Sequence, residues 1–575
     1  MHKDDKPRSR APANPIGTPG VCATTRESGR PTGLALLAVV GVALLLRLDG
    51  LGQDALWLDE ANTWIIAREP LAGIVERLRQ DASPPLYYFF LHGWIKLFGD
   101  SAWALRLPSV LAGVALVVLT YRVGRSILSP RAAIAAAWLV AVSPSQIFHA
   151  EQVRMYSWLG LISLYATHRL MVALDRTSDR DRLSMRSEAG AWALYAATLS
   201  ATLLTHNFAF HLIPAHACIV LVSQKPARAM VAFTAAGALT CLLYAPWLPV
   251  FIAQLQGVDT YSWYAEVWAK TGPWSALLRS LDSIGPLGQY FPGTKTPPLR
   301  WLQIAGLSAL FVAAAGAWIE WRDRKHAARL PMGLAFALPI VTSIALSCWL
   351  APHFVPGRVD QMVLAPLLLL VGAGLNAVCP RGKDGRWWLS VAALVTLAAA
   401  LLLGPHDEAD AARDAGAREA RGERLGEEAL GTETSIMDAL AARARPGDRL
   451  ICTSLSRAPL EHLLKGRGAA LELISFPRST GEHMGGQEDA LLLADPPALE
   501  REAAAILEAS LRNLHPGGTG ALHVILMESP VNDFLIAELD LAVERGQLVE
   551  TTPAIGFLQR GIHHFGVLRS FAARP

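Results

Sequence analysis

Apolar segments of roughly 17–25 residues, the length that crosses a bilayer core, recur along this chain until about Gly404 and then stop. No other feature limits the fold so tightly. In hydrocarbon every backbone N–H and C=O must be bonded within the chain, so such segments are expected to be helices packed side by side. Composition agrees: 52% of the 575 residues are hydrophobic and 18% charged, against about a quarter charged in a soluble domain. The net charge of +3, dispersed into loops, argues against a nucleic-acid partner. The six cysteines show no paired spacing, so neither a disulfide framework nor a zinc site is expected.

The expected spans are 33–48, 104–124, 132–148, 156–174, 190–206, 208–223, 229–253, 301–321, 331–351, 360–379 and 386–404, about eleven in all. The first has no small-x-small cleavage site after it, only Arg47-Leu48-Asp49. It is therefore expected to stay in the membrane with Arg47 snorkelling to the interface. Alternate loops are Arg/Lys-rich: Arg122, Arg125 and Arg131; Arg176, Arg180, Arg182 and Arg186; Lys225 and Arg228; Arg322, Arg324, Lys325 and Arg329; Arg381, Lys383 and Arg386. These mark the cytoplasmic side. The loops 49–103, 149–155, 254–300 and 352–359 are poor in positive charge and face outward. An odd number of spans puts the C-terminal region outside as well.

The expected fold class is thus an α-helical polytopic membrane protein with a small C-terminal α/β extramembrane domain. Its parts are a disordered cytoplasmic N-terminus (1–30), a membrane domain (31–404), a charged linker (405–445) and an extracytoplasmic α/β domain (446–575). Within the first external loop, 49–103, Asp59–Gln80 is amphipathic. Pro84 to Phe98 is aromatic but too short to cross, so both are expected to lie along the outer interface. In the tail, Arg449–Thr453, Ala470–Phe476 and Leu522–Met527 read as strands, and Pro459–Leu464 and 497–514 as helices. Gly517-Gly518-Thr519-Gly520 precedes a strand, whereas a dinucleotide loop follows one, so it is read as a turn.

The chemistry-bearing residues fall in the outward loops. Asp59-Glu60 follows the first span, and adjacent carboxylates on a helix diverge by about 100°. One can face the bundle while the other braces the loop. Interfacial acids serving only as helix N-terminal charges explain the pair equally well on these residues alone. Arg154 and Tyr156 sit between two spans, where a guanidinium fork matches phosphate oxygens or merely snorkels. His206 lies in Thr205-His206-Asn207, and Arg358 ends Pro352-His353-Phe354-Val355-Pro356-Gly357-Arg358. Asp59, Glu60, His206 and His353 are admissible divalent-metal ligands without tight spacing. A divalent metal ion stays an option, and no cofactor is assigned.

At these residues the chain resembles the GT-C membrane glycosyltransferases of the dolichyl-phosphate-mannose protein mannosyltransferase and aminoarabinose transferase type. The matching pieces are Leu56-Trp57-Leu58-Asp59-Glu60-Ala61, Ser83-Pro84-Pro85-Leu86-Tyr87-Tyr88 with Trp94, Arg106-Leu107-Pro108-Ser109 leading into Gly113, and Gln152-Val153-Arg154-Met155-Tyr156-Ser157. Thr205-His206-Asn207, Pro246-Trp247-Leu248-Pro249 and the Pro-x-Gly-Arg turn at 356–358 fit more loosely. The chain departs from the family where Arg-Tyr is common and Arg358-Val359 stands here. The resemblance implies a polyprenyl-phosphate sugar donor and transfer with inversion to a lipid, protein or glycan acceptor. It sets the reaction at the outer face of a bacterial inner (plasma) membrane. It implies Asp59 as general base, Glu60 as the second carboxylate of the catalytic site, orienting the acceptor or a basic partner, and Arg154, Tyr156, His206 and Arg358 around donor phosphate and sugar. The competing readings are a transporter or flippase of lipid-linked sugars, for which no internal repeat is found, and a non-catalytic scaffold.

Overall fold

The computed structural model describes residues 30–178 except 54 and 82; 185–256; 268–269, 272–277 and 280; 330–378 except 351, 352, 355, 356 and 359; and 431–432, 440–441, 444–453, 456–467, 471–478, 493–514, 520–527, 529–558 and 565–574. Fourteen α-helices come first among them: α1 (Arg30–Leu48), α2 (Leu58–Arg68), α3 (Leu71–Arg79), α4 (Leu86–Phe98), α5 (Ala102–Ile127), α6 (Pro130–Val142), α7 (Pro144–Ala150), α8 (Tyr156–Ser178), α9 (Met185–Leu203), α10 (Leu212–Leu221), α11 (Pro226–Tyr244), α12 (Leu248–Gln256), α13 (Leu330–Trp349) and α14 (Gln361–Val378). Local signals set several boundaries. Ser101 and Ser129 accept from Ala104 N and Ala132 N at the starts of α5 and α6, each at 3.3 Å, which satisfies donors that the helix leaves unpaired. Pro70 ends the amphipathic run of the first loop, splitting it into α2 and α3.

The helices share one apolar core, in which Leu116, Val117, Val140, Leu159, Leu164, Leu170 and Leu368 are fully enclosed. Three helical stretches among the described residues are long and apolar enough to cross a membrane: α5, the run Pro226–Gln256 and α13. The pair α6 and α7, bent by 57°, makes a fourth if taken as one span. Among the described residues the expected count of about eleven is therefore not confirmed. Spans 301–321 and 386–404 lie outside the described residues, as do the N-terminus and most of the linker. The apolar stretches 33–48, 207–221 and 361–374 form helices but are short.

Arg47 corrects one expectation. It does not snorkel; it is fully buried. Pro144 starts α7 and has no N–H to offer the carbonyl of Val140 four residues back. Arg47 supplies the missing donors, to Ala141 O at 2.8 Å, Val140 O at 3.2 Å and its own Ala43 O at 3.0 Å. Gly113 makes room for it, since a Cβ there would sit 3.1 Å from Arg47 Nε and 3.0 Å from Ala150 Cβ. A charged group inside a bundle is costly unless paired, and here it is spent on mending a broken helix.

Beyond the helices comes a six-stranded mixed sheet: β1 (Gly431–Thr432), β2 (Arg449–Thr453), β3 (Glu472–Phe476), β4 (Ala521–Met527), β5 (Leu548–Leu558) and β6 (Phe565–Ala573), in the order β1-β5-β6-β4-β2-β3. Strands β3, β2 and β4 run parallel; β4, β6 and β5 pair antiparallel. Side chains alternate across β4: Leu522, Val524 and Leu526 enter a core with α16 (Pro496–Asn513) and α17 (Asn532–Glu544). Ile525 and Met527 face α15 (Arg457–Arg467). Period two thus gives the sheet two covered faces. Gly517-Gly518-Thr519 lies outside the described residues.

Candidate functional site at the rim of the bundle

Helix α2 begins at Trp57, whose extended backbone turns the chain into the helix. Asp59 and Glu60 occupy its first turn, where carboxylates suit the positive end of the helix dipole. Their neighbours then separate them. Glu60 is fully buried and its two oxygens accept from Trp57 N (3.2 Å), Arg106 Nε (2.9 Å), Arg106 Nη2 (2.7 Å) and Val153 N (2.8 Å). Arg106 also donates to Leu51 O and Ala55 O. This fully bonded ion pair ties α2 to α5 and to the 151–155 turn. Of the two partners expected for Glu60, an acceptor or a basic group, its contacts among the described residues are to the basic one, Arg106.

Asp59 turns to the other side of the helix. Its Oδ2 lies 3.2 Å from Arg358 Nη1, with the two side chains 22% and 17% exposed. Arg358 also stands over the Trp57 ring at 5.7 Å. The turn that delivers it needs glycine: Gly357 has φ +82°, a left-handed backbone that other residues adopt at a cost. Gly357 N donates to Asp360 Oδ2 at 3.0 Å, and its carbonyl accepts from His149 Nε2 (2.8 Å) and Gln361 Nε2 (2.9 Å). Gln361 Oε1 in turn accepts from Gln146 Nε2 and Ser145 Oγ. Asp360 and Gln361, both fully buried, were not singled out in the sequence; a polar pair opening an apolar helix is the signal that marks them.

Arg154 arrives from the turn between α7 and α8. Its Nη1 donates to Thr63 Oγ1 at 3.0 Å and to the Asp59 carbonyl at 3.4 Å. Its Nε is buried without an acceptor among the described residues. The guanidinium lies 5.6 Å from the Tyr156 ring, and that ring sits 4.9 Å from His149 and 5.9 Å from His206. His206 Nδ1 accepts from Phe208 N at 3.0 Å, capping a short 3-10 helix, so any ligand contact falls to Nε2. Glu151, in the same turn, is pushed up to about 8 by burial, against the opposing pull of Arg47 and Arg106. Asp59, Arg154, Tyr156, His206 and Arg358 thus meet at one rim, while Glu60 backs it. No three His, Cys, Asp or Glu side chains gather as a metal-ligand group among the described residues.

Arg154 and Arg358 both stand beside Asp59, while Glu60 is paired with Arg106 and Asp360 is bonded to Gly357 N. The Nε of Arg154 has no acceptor among the described residues. Such a site favours an anion with several oxygens, because forked N–H groups match phosphate or carboxylate geometry.

Residues 82–249 match the family described as dolichyl-phosphate-mannose-protein mannosyltransferase. No curated protein sequence matches the chain. Among solved structures, ArnT from Cupriavidus metallidurans bound to undecaprenyl phosphate superposes with a TM-score of 0.51 at 14% identity, over 93% of this chain and 98% of that one. Its apo state gives 0.51 at 12% identity, over 94% and 98%. The oligosaccharyltransferase AglB from Archaeoglobus fulgidus, in complex with an inhibitory peptide and a dolichol-phosphate, matches at a TM-score of 0.45 and 14% identity, over 76% of this chain; the chain spans 64% of its length. The rim is carried on a fold similar to that of ArnT, and residues 82–249 are similar to the dolichyl-phosphate-mannose-protein mannosyltransferase family.

Proposed function

We propose that this chain is a glycosyltransferase that moves a sugar from a polyprenyl-phosphate donor to a lipid, protein or glycan acceptor. In this reading the rim faces the exterior of a bacterial inner membrane, and the tail beyond residue 446 lies on the same side. One observation carries the proposal: a half-buried carboxylate, Asp59, is ion-paired to Arg358 with Arg154 alongside, at the mouth of a helical bundle.

The donor phosphate competes with Asp59 for Arg358. On binding, its oxygens take over Arg358 and the unmet Nε of Arg154, and the Asp59 carboxylate is released from its ion pair. Asp59 then accepts the proton of an acceptor hydroxyl or amine as the new bond forms at the anomeric carbon. The bond from that carbon to the phosphate oxygen breaks on the opposite face, giving inversion. Its electron pair leaves with the polyprenyl phosphate, whose growing charge the two guanidiniums stabilise. Tyr156 and His206 line the same wall, within reach of sugar or phosphate oxygens.

The test is transfer from a defined polyprenyl-phosphate sugar by purified protein in nanodiscs. Asp59→Asn is expected to keep the shape of the side chain and the binding of donor lipid while removing the base. A loss on the order of 10²–10⁴-fold is expected. Wild-type-like turnover in that variant overturns the assignment.

A further inference from the structure

The tail does more than share a side with the rim. Helix α15 lies directly against α2, the helix that carries Asp59. Arg68 Nη2 and Glu461 Oε1 are 2.5 Å apart, as are Lys465 Nζ and Asp100 Oδ2. His462 Nε2 donates to the Asp100 carbonyl at 2.9 Å, and Trp64 Nε1 donates to Asp100 Oδ2 at 3.0 Å. The Trp64 ring meets His462 edge-on at 5.0 Å and lies under Arg68 at 4.5 Å and Lys465 at 5.5 Å. Ala458 belongs to the same apolar cluster as Leu56, Ala61, Trp64 and Ile65. Ala55 packs in return among Leu460, Leu463 and Leu464.

Helix α2 has 11 residues, too few to hold its shape in isolation. Its first turn is pinned by Glu60 to Arg106. Its last two turns present Trp64 and Arg68, and these are held by α15. Helix α4 also holds this end, with His92 Nδ1 donating to Ala67 O at 2.9 Å. Losing the α15 contacts therefore loosens the last turns of α2 without freeing them, and Asp59 loses its exact alignment with Arg154 and Arg358. Exposed ion pairs are weak singly, but here they close around a buried Trp and a shared apolar cluster.

We propose that α15 is a clamp that positions the Asp59 helix, with Glu461, His462 and Lys465 as positioning residues supplied by the tail. This inference rests on Asp59 doing chemistry, so its test has an arm that does not depend on turnover. In full-length protein in nanodiscs, hydrogen exchange of amides 58–68 is measured beside kcat and donor KM for Glu461→Arg, for Arg68→Glu/Glu461→Arg, and for the milder Lys465→Ala. Glu461→Arg should speed exchange in α2 and lower kcat roughly 10–100-fold, with donor KM unchanged within a factor of about two. The charge swap should restore both, and Lys465→Ala should give a smaller effect in the same direction. Unchanged exchange in both Glu461→Arg and Lys465→Ala overturns the clamp, as does a swap that restores neither quantity. If wild-type protein transfers no sugar from polyprenyl-phosphate donors, the functional reading fails while the exchange arm still decides the clamp.

Discussion

The two faces of helix α2 began as one sequence feature and ended with opposite physics. On one face Glu60 is fully buried and saturated by Arg106, Val153 and Trp57. On the other, Asp59 shares a half-open rim with two guanidiniums. A carboxylate with every lone pair used can only hold structure. One whose single strong partner is a displaceable cation can exchange it for a ligand. The difference lies in the surroundings, since the two residues are neighbours on one helix.

Substitutions can pull the faces apart. Asp59→Asn should lower transfer by the order of 10²–10⁴-fold with unfolding midpoints unchanged. Glu60→Gln should act mainly on stability, leaving Arg106 buried without its counter-ion and costing about 3–5 kcal/mol, with transfer falling far less than in Asp59→Asn. Chemical or thermal unfolding of the pair beside turnover checks both. A stable Glu60→Gln protein that has lost transfer would reverse the assignment.

Arg358→Ala comes next. It should weaken donor use roughly 10–100-fold, as expected for hydrogen bonds to a charged group, and leave acceptor KM alone. Steady-state kinetics with each substrate varied in turn decides this; an unchanged donor KM removes Arg358 from the phosphate. Gly357→Ala strains a left-handed backbone by about 1–2 kcal/mol, so it should weaken donor use less than Arg358→Ala does.

The effect furthest from transfer is at Glu151, and it is one of stability against pH. Its folded-state value near 8 lies above the ordinary 4.5, so the folded state holds its proton longer than the unfolded chain. Stability from this group is full below about 4.5 and is lost as pH rises through about 8. Glu151→Gln should fold normally at neutral pH and flatten that decline, measured as unfolding midpoints between pH 5 and 9. A decline just as steep in the variant would show that another group is responsible.

How much of this was legible beforehand differs from residue to residue. Strand β2 and strand β4 lie where alternation and apolar runs predict them, because period two is a local property of the chain. The helix expected at 497–514 runs Pro496–Asn513, started by Asp495 accepting from Ala498 N. The gathering of Asp59, Arg154, Tyr156, His206 and Arg358 could be anticipated from loop position alone, since alternate loops of a helical bundle must emerge on one side. Arg47 could not be anticipated. Snorkelling and mending a broken helix call for the same residue in the same place, and only the position of Pro144 across the bundle decides between them.

The sequence by itself determined the helical bundle, the loops that meet at its rim and the kinds of side chain they carry there. These follow from hydropathy, charge bias and periodicity, which act over a few turns of chain. Tertiary structure decided which carboxylate is saturated and which rests on an ion pair with Arg358, that Arg106 is the counter-ion of Glu60 46 residues away, and that α15 packs against the far end of α2. Those outcomes depend on burial and on partners distant in sequence, and a charge in a protein acquires its role from what surrounds it in space.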